Sequence, residues 1–209
     1  MRVTFTELGP ASFRPSIRDF VAVYAAAMNP PERMLTGRDA ILERHAANPG
    51  FRALAAFSEP NVVAGFTYGF HGAPGQWWHD TVAGGLMVTR GRGPVADGAS
   101  GGRGWLDNSF EVAELHVLPE RQGMGIGREL LLRLTADRPE RTAVLSTADT
   151  ESRARRLYRK VGFTDLLTGF RFAGGEPPYA VMGATLPLLR SSWEATGSRS
   201  PRSPSPSSW

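Results

Sequence analysis

The segment that most constrains the fold of this chain is a glycine-rich turn between an apolar strand and an amphipathic helix. The predicted strand covers residues 110–118 and ends at Pro119, the turn runs from Gln122 to Gly127, and the helix follows directly. This order places several backbone N–H groups at a helix N-terminus, where they can hold a phosphate group. The turn therefore predicts a site for a cofactor that carries a nucleotide.

Two common phosphate sites do not fit this turn. A P-loop needs a Gly-Lys-Ser/Thr tripeptide, and the only lysine of the chain, Lys160, does not lie in one. A Rossmann site needs an early strand and an acidic residue at the end of the next strand, about 20 residues beyond the glycines. Here the turn lies past the middle of the chain, and the next predicted strand ends at Thr147, before the carboxylate of Asp149. A tight turn without a ligand remains as the alternative that Gly-x-Gly alone allows.

A second motif favours one cofactor. Gln122-x-x-Gly125-x-Gly127, after a strand that ends Leu-His-Val-Leu-Pro, resembles motif A of the GNAT acyltransferase superfamily. The run from Ala154 to Phe163 is similar to the Ala-x-x-Leu-Tyr-x-x-x-Gly-Phe segment of that family, in the expected order and at a suitable separation. The resemblance implies the α/β (α+β) GNAT fold. This fold has a central mixed, mostly antiparallel sheet of about six to seven strands, flanked by about four helices. An insertion of about residues 72–104 is expected between strands three and four.

Length and composition set the domain organisation. A chain of 209 residues with 41% hydrophobic residues can form one domain with a real core, which we expect over residues 1–189. Residues 190–209 are rich in Ser, Pro and Arg and are predicted to form a disordered tail. No apolar stretch approaches the ~20 residues of a membrane helix, and the start lacks the apolar core of a signal peptide. We therefore expect a cytoplasmic protein that does not contact a membrane.

The resemblance implies acetyl-CoA as the cosubstrate and no metal ion. It assigns the CoA pyrophosphate to the backbone of the turn, whose residues are Gln122, Gly123, Met124, Gly125, Ile126 and Gly127. Arg128 flanks the turn as a further candidate for contact with the phosphates, and the alternative for it is a solvated surface arginine. The backbone N–H of Val117 or Leu118 would stabilise the oxyanion of a tetrahedral intermediate. Family members often carry asparagine seven residues before the motif tyrosine, to hold the pantetheine arm. Glu151 occupies that position here and is expected to contact the cofactor.

The family pattern places three catalytic candidates near the turn. Tyr158 would lie beside the CoA sulfur and protonate the departing thiolate. Because side chains alternate along a strand, Glu114 and His116 share the face on which the family binds its acceptor. An alkylamine with a pKa of ~10 must lose a proton before it attacks, so Glu114 is the first candidate base and His116 the second. Glu111 is the third, in case the strand carries a bulge. The alternative for Glu114 is a carboxylate that orders the pocket or pairs with an arginine.

The leading functional hypothesis is transfer of an acetyl group from acetyl-CoA to a primary amine of a small molecule, by direct attack. Without cysteine, the chain has no cysteine nucleophile for an acyl-enzyme. The alternatives are a protein N-terminal or lysine acetyltransferase and a non-catalytic CoA-binding module. The net charge of +4 supports only nonspecific attraction to nucleic acid. Trp77 and Trp78 favour anchoring of the insertion, an acceptor pocket or a homodimer face.

Overall fold

The computed structural model describes residues 3–59, 62–90, 104–173 and 177–189. Its seven strands form one sheet in the order β1-β2-β3-β4-β5-β7-β6. The strands are β1 (Thr4–Leu8), β2 (Arg52–Glu59), β3 (Val62–Gly72), β4 (Ser109–Val117), β5 (Thr142–Ala148), β6 (Thr164–Phe170) and β7 (Tyr179–Thr185). The helices are α1 (Pro10–Phe13), α2 (Ile17–Met28), α3 (Arg38–His45), α4 (Trp77–Arg90), α5 (Ile126–Leu134) and α6 (Arg153–Lys160).

The sheet has the mixed character that the sequence predicts. Every neighbouring pair of strands is antiparallel except β4 and β5, which are parallel. The expected fold class is confirmed, and α4 supplies the expected insertion between β3 and β4. The predicted glycine-rich loop of residues 90–104 and the predicted tail of residues 190–209 lie largely or wholly outside the described residues.

The parallel pairing of β4 with β5 is short, and the two strands separate in the middle of the sheet. Strands β4 and β5 pair only from Ser109 to Glu111 on β4 and from Thr142 to Val144 on β5. Beyond these residues β4 continues to Val117, and no described strand pairs with it on that side. The two strands therefore separate, and the second half of β4 presents an open edge.

Helices cover both faces of the sheet. On one face, α5 and α6 pack onto the central strands through the apolar stripe that the sequence predicts, with Leu130, Leu134 and Tyr158 in the core. On the other face, α2 and α3 cover the first strands, with Phe20 and Leu42 buried. Helix α4 covers β5, β6 and β7 on that second face.

The two tryptophans of the insertion differ in environment. The indole Nε1 of Trp78 donates a hydrogen bond of 3.1 Å to the Ser146 hydroxyl on β5, and its ring packs against the core beneath α4. Trp77 is 63% exposed, with its ring 5.3 Å from that of Phe172. These contacts favour anchoring of the insertion, at least for Trp78, while the homodimer stays a prediction.

Candidate active site

A cleft of about 480 Å³ opens beside the free edge of β4. Its floor is the end of β4, one wall is the glycine turn with the start of α5, and the opposite wall is α6. Of the residues expected to bind the cofactor, those that line the cleft are Val117, Gln122, Gly123, Gly125, Ile126, Gly127, Arg128 and Tyr158. The sequence motifs, which lie 31 residues apart from Gly127 to Tyr158, therefore face one another across one cavity.

The glycine turn has the geometry of an anion cradle. Gly123 and Gly125 adopt φ angles of +81° and +83°, which side chains with a Cβ rarely adopt. Gly125 is the N-cap of α5, and the first i→i−4 bond of the helix runs from the Glu129 N–H to its carbonyl. The N–H groups of Ile126 and Gly127 precede that bond, at the positive end of the helix dipole. The turn can therefore hold a phosphate group.

The end of β4 presents backbone groups to the cleft. The N–H of Leu118 donates to the carbonyl of Ala64 on β3, at 2.9 Å, so this residue is not the oxyanion donor. Since residues alternate their hydrogen-bonding direction along an antiparallel strand, the N–H and C=O of Val117 point to the open edge. The Gln122 side chain donates to the Val117 carbonyl at 3.1 Å and ties the turn to this edge.

A bulge in β4 changes which side chains share a face. Tyr68 and Gly69 are adjacent on β3, but they pair with Glu114 and Val112 on β4, so Ala113 is the extra residue. Val112 packs in the core beneath α5, as do Leu115 and Val117 on the far side of the bulge. The alternation along the strand therefore turns Glu111, Glu114 and His116 all toward the face that α2 and α3 cover.

Glu114 is held by two hydrogen-bond donors. Its carboxylate accepts hydrogen bonds from Arg38 on α3 and from Nε2 of His116, and its side chain is only 12% exposed. Burial alone would raise the pKa of Glu114, but the charge and hydrogen bond of His116 and the charge of Arg38 hold it below its usual value. The Arg38 guanidinium also lies 3.7 Å from the centre of the Tyr24 ring. Glu114 is thus an ionised, fully engaged carboxylate, which makes it a weak base.

His116 is the member of this group that reaches the cleft. It lines the cavity beside Val117, whereas Glu114 does not line it. The edge of the His116 ring meets the Tyr24 ring, with centroids 5.1 Å apart. Because Nε2 donates to Glu114, the proton of the neutral ring lies on Nε2 and Nδ1 is left as an acceptor. The arrangement lets His116 accept a proton, with Glu114 fixing the tautomer and the ring orientation.

Glu111 is a second titratable group on this face. It is 5% exposed, and its Oε2 is buried without a hydrogen-bond partner among the described residues. Burial, together with the negative charge of Glu114, raises the pKa of Glu111 to about 8. A carboxyl group with such a pKa exchanges its proton near neutral pH.

Tyr158 projects from α6 into the core side of the cleft. The residue is 6% exposed, and its ring lies 5.7 Å from that of Phe163. Burial, with a contribution from the charge of Glu114, raises the pKa of Tyr158 well above its ordinary value. The phenol therefore stays protonated at working pH and acts as a hydrogen-bond donor.

Three of the expected cofactor residues do not line the cleft, namely Leu118, whose N–H is used by β3, Glu151 and Met124. Glu151 does not line the cleft; its side chain is 64% exposed and its carboxylate accepts a 2.5 Å hydrogen bond from Arg159. Glu151 precedes Ser152, the N-cap of α6, and its ion pair with Arg159 lies on the outer surface, so the expected contact is not part of this cavity. Met124 is 57% exposed on the turn and is also not part of the cavity lining.

Sequence reasoning missed several residues of the site. Arg38 and Tyr24 come from helices far from the motifs along the chain, and no local pattern links them to Glu114. Three cations of α6 also line the cleft, namely Arg153, Arg156 and Lys160. Their i, i+3, i+7 spacing was the signal that could have placed them on one helix face.

The described part of the chain offers neither a metal-binding cluster nor a membrane-spanning helix. Residues 3–59, 62–90, 104–173 and 177–189 contain no cluster of three or more His, Asp or Glu side chains suited to a metal ion. Within these same ranges, every helix is too short or too polar to cross a bilayer.

Comparisons with known proteins give the family. Residues 83–165 match the family model of the acetyltransferase (GNAT) domain. The chain is 35% identical to the GCN5-like protein acetyltransferase Rv2170 of Mycobacterium tuberculosis, over 90% of this chain and 100% of that protein. Similar solved structures include the ribosomal-protein-S18-alanine N-acetyltransferase of Escherichia coli, with a TM-score of 0.56, 14% identity and coverage of 91% and 98% of the two chains. The PaiA N-acetyltransferase of Thermoplasma acidophilum, in complex with coenzyme A, has a TM-score of 0.54, 15% identity and coverage of 88% and 99%. The fold, the two facing motifs and these matches together show that the chain belongs to the GNAT acetyltransferase family.

Proposed function

We propose that this protein transfers an acetyl group from acetyl-CoA to a primary amine of a small molecule, by direct attack through a tetrahedral intermediate. The observation that carries the proposal is the composition of one cleft. A phosphate cradle at Gly123–Gly127 occupies one wall, and Tyr158, His116 and the open N–H of Val117 lie together in the same cavity. The residues present fit CoA, which needs an anion site at one end and an apolar channel for its arm at the other.

Each group has a defined task in the proposed reaction. The amine nitrogen attacks the thioester carbonyl carbon, and its proton passes to Nδ1 of His116. The carbonyl oxygen becomes an oxyanion, which the Val117 N–H stabilises. When the C–S bond breaks, the electron pair goes to sulfur, and the Tyr158 hydroxyl donates a hydrogen bond to the thiolate. Glu114 positions His116 through the Nε2 contact and does not itself touch the reacting atoms.

Glu111 is the alternative to His116 as the general base. Glu111 has an unpartnered carboxyl oxygen and a pKa raised to about 8, so it suits proton acceptance through a water molecule. The variants His116→Gln and Glu111→Gln separate the two candidates. If His116 is the base, its variant loses most of kcat, and Glu111→Gln keeps both the rate and its pH profile. A loss confined to Glu111→Gln would transfer the assignment to Glu111.

A protein amine is the second candidate acceptor. The relative from Mycobacterium tuberculosis, 35% identical along nearly the whole chain, is named as a protein acetyltransferase. The buried positions of His116 and Glu114, with side chains 11% and 12% exposed, favour a slim acceptor. A small amine and a single lysine side chain both meet that condition.

An acceptor panel tests the proposal. Purified protein is incubated with acetyl-CoA and small amines, amino acids, polyamines, lysine peptides and peptides with free N-termini, and released CoA is read with a thiol reagent. The chain has no cysteine, so it adds no background to this assay. We expect rates above spontaneous hydrolysis for small amines. Turnover of peptides alone would support the protein acceptor, and CoA binding without turnover of any acceptor would favour a non-catalytic CoA-binding module.

A further inference from the structure

Arg38 closes a ring of contacts around Glu114 and His116. Its guanidinium donates to Oε1 of Glu114, while Oε2 of the same carboxylate accepts from Nε2 of His116. The guanidinium also lies 3.7 Å from the centre of the Tyr24 ring. That ring stands nearly perpendicular to the His116 ring, with an interplanar angle of 86°. Arg38 therefore contacts both of the side chains that hold the imidazole.

The position of Arg38 is unfavourable for the fold. It is the first residue of α3, next to the N-cap Gly37, where the helix dipole disfavours a cation. Its side chain is only 16% exposed, and its Nε is buried without a hydrogen-bond partner among the described residues. A buried ion pair gives little net stability, because the desolvation of both charges offsets their attraction. Local rules broken in this way point to a role in function rather than in stability.

The charge of Arg38 bears on the protonation state of His116. A buried carboxylate without a counter-charge stabilises a protonated imidazole beside it. A protonated His116 has no free nitrogen and cannot accept the proton of an amine. Because Arg38 neutralises Glu114 at its other oxygen, the carboxylate can orient the imidazole without keeping it charged.

Several other titratable groups face the carboxylate and the imidazole. They come from α2, α3, β3, β4 and α6 and are Tyr24, His45, Tyr68, Glu111 and Tyr158. The pKa of Glu111 is raised to about 8, and burial lowers the pKa of His45, so both are mainly neutral at pH 7. Burial raises the pKa of Tyr68 and of Tyr158, so both phenols keep their protons. Arg38 therefore supplies the positive charge that balances the carboxylate on this face. On the cleft side, the cations in the lining are Arg121, Arg128, Arg153, Arg156 and Lys160.

We infer that Arg38 is a positioning residue, which keeps His116 in its neutral, proton-accepting form by neutralising Glu114 and by holding Tyr24 against the imidazole. The inference rests on the proposed function, because it takes His116 as the base. Arg38 does not line the cleft and acts on the reaction only through its neighbours. It extends the functional site from β4 to the start of α3.

The test follows the imidazole directly and the reaction in parallel. Protein labelled with ¹³C at the histidine rings is titrated by NMR, and His116→Gln assigns one signal among the four histidines of the chain. The pH profile of kcat/KM is measured for the best acceptor at saturating acetyl-CoA. Arg38→Gln removes the charge, and Arg38→Lys keeps it. Arg138→Gln is the matched control, since Arg138 forms a buried pair with Glu140, lies 4.2 Å from the centre of the Phe110 ring and does not line the cleft.

The expected result is a shift in pH, not a uniform loss. In Arg38→Gln the titration midpoint of the His116 ring should rise by about one pH unit or more, and the acid limb of kcat/KM should move with it. Activity on that limb then falls about tenfold and recovers at higher pH. Arg38→Lys and Arg138→Gln should keep both values near those of the wild type. Thermal unfolding checks that each variant is folded.

Three results would overturn the inference. An unchanged midpoint in Arg38→Gln, or an equal fall of kcat/KM at every pH, would make Arg38 a structural residue and leave the proposed function intact. A shift of the same size in Arg138→Gln would show that loosening of the fold, not the charge beside Glu114, moves the midpoint. Absence of acetyl transfer by the wild type to every acceptor would overturn the proposed function, and the inference with it, whatever the NMR titration shows.

Discussion

Removing the hydroxyl of Tyr158 tests the chemistry of the cleft with the least disturbance of the fold. The substitution Tyr158→Phe keeps the ring that packs in the core near Phe163. Among the described residues, the Tyr158 hydroxyl has no hydrogen-bond partner, so its loss leaves no protein group unsatisfied. We therefore expect the midpoint of thermal unfolding to change little, and the binding of CoA to stay within about twofold.

The expected loss lies in turnover. In the free protein the pKa of Tyr158 is raised by burial, so complete proton transfer to a thiolate whose thiol has a pKa of ~8.5 is uphill. The phenol instead donates a charge-assisted hydrogen bond, with a free energy of about 1.5–3 kcal/mol. Since each 1.36 kcal/mol corresponds to about tenfold in rate, kcat should fall by roughly 10- to 150-fold.

The assay is single-turnover release of CoA, which isolates the chemical step from product release. Wild type and Tyr158→Phe are compared with the protein in excess over acetyl-CoA and both well above Kd, with Tyr179→Phe as a control variant at a tyrosine that does not line the cleft. An unchanged single-turnover rate in Tyr158→Phe would remove Tyr158 from the mechanism. A fall that comes only from weaker CoA binding would make it a binding residue.

Three further changes test other parts of the site. Glu114→Gln leaves the buried Arg38 guanidinium without its counter-charge, so we expect a loss of about 2 kcal/mol in unfolding free energy by denaturant titration and a lower kcat. The control Glu129→Gln breaks a more exposed ion pair on α5 and should cost under about 0.5 kcal/mol. Equal losses in the two variants would contradict the role of burial. Glu111 keeps its proton in the folded protein up to about pH 8 but would lose it near 4.5 in the unfolded chain. As the pH rises between these two values, the wild type therefore loses about 1.4 kcal/mol of stability per pH unit, and it loses none above them. Scanning calorimetry should show Glu111→Gln gaining stability relative to the wild type over that pH range. A stability difference independent of pH would refute the raised pKa of Glu111. Gly125→Ala places a Cβ on a residue with φ +83°, and no atom lies within 4 Å of that Cβ. Backbone strain alone should therefore cost about 1–2 kcal/mol of stability, and CoA binding should weaken. An unchanged midpoint of thermal unfolding and an unchanged CoA affinity would show that the turn needs no glycine there.

The parts of the site that follow from local pattern were predictable from the sequence. The strand, turn and helix around Gly125 form a contiguous segment, and the apolar stripe of α6 places Tyr158 inward. The face shared by Glu114 and His116 follows from strand alternation after the bulge. These features depend on neighbours in the chain, which is why periodicity and turn chemistry indicate them.

The parts that depend on tertiary contacts were not predictable. Arg38 reaches Glu114 across 76 residues, and only the packing of α3 on the sheet brings them together. The hydrogen bond from the Leu118 N–H to Ala64 depends on the register of β3 and β4. Glu151 was expected at the cofactor from its motif position, but the arginines of α6 draw its carboxylate to the surface.

Transfer of a labelled acetyl group tests the central claim most directly. The protein is incubated with acetyl-CoA labelled in its acetyl group and the best acceptor of the panel, and the products are followed by mass spectrometry. Direct attack predicts that the label appears on the acceptor nitrogen, with one free CoA per acetylated acceptor, and that acetyl-CoA alone leaves the protein mass unchanged. A protein that acquires the label before the acceptor is added, and then passes it on, would contradict direct transfer in this cleft.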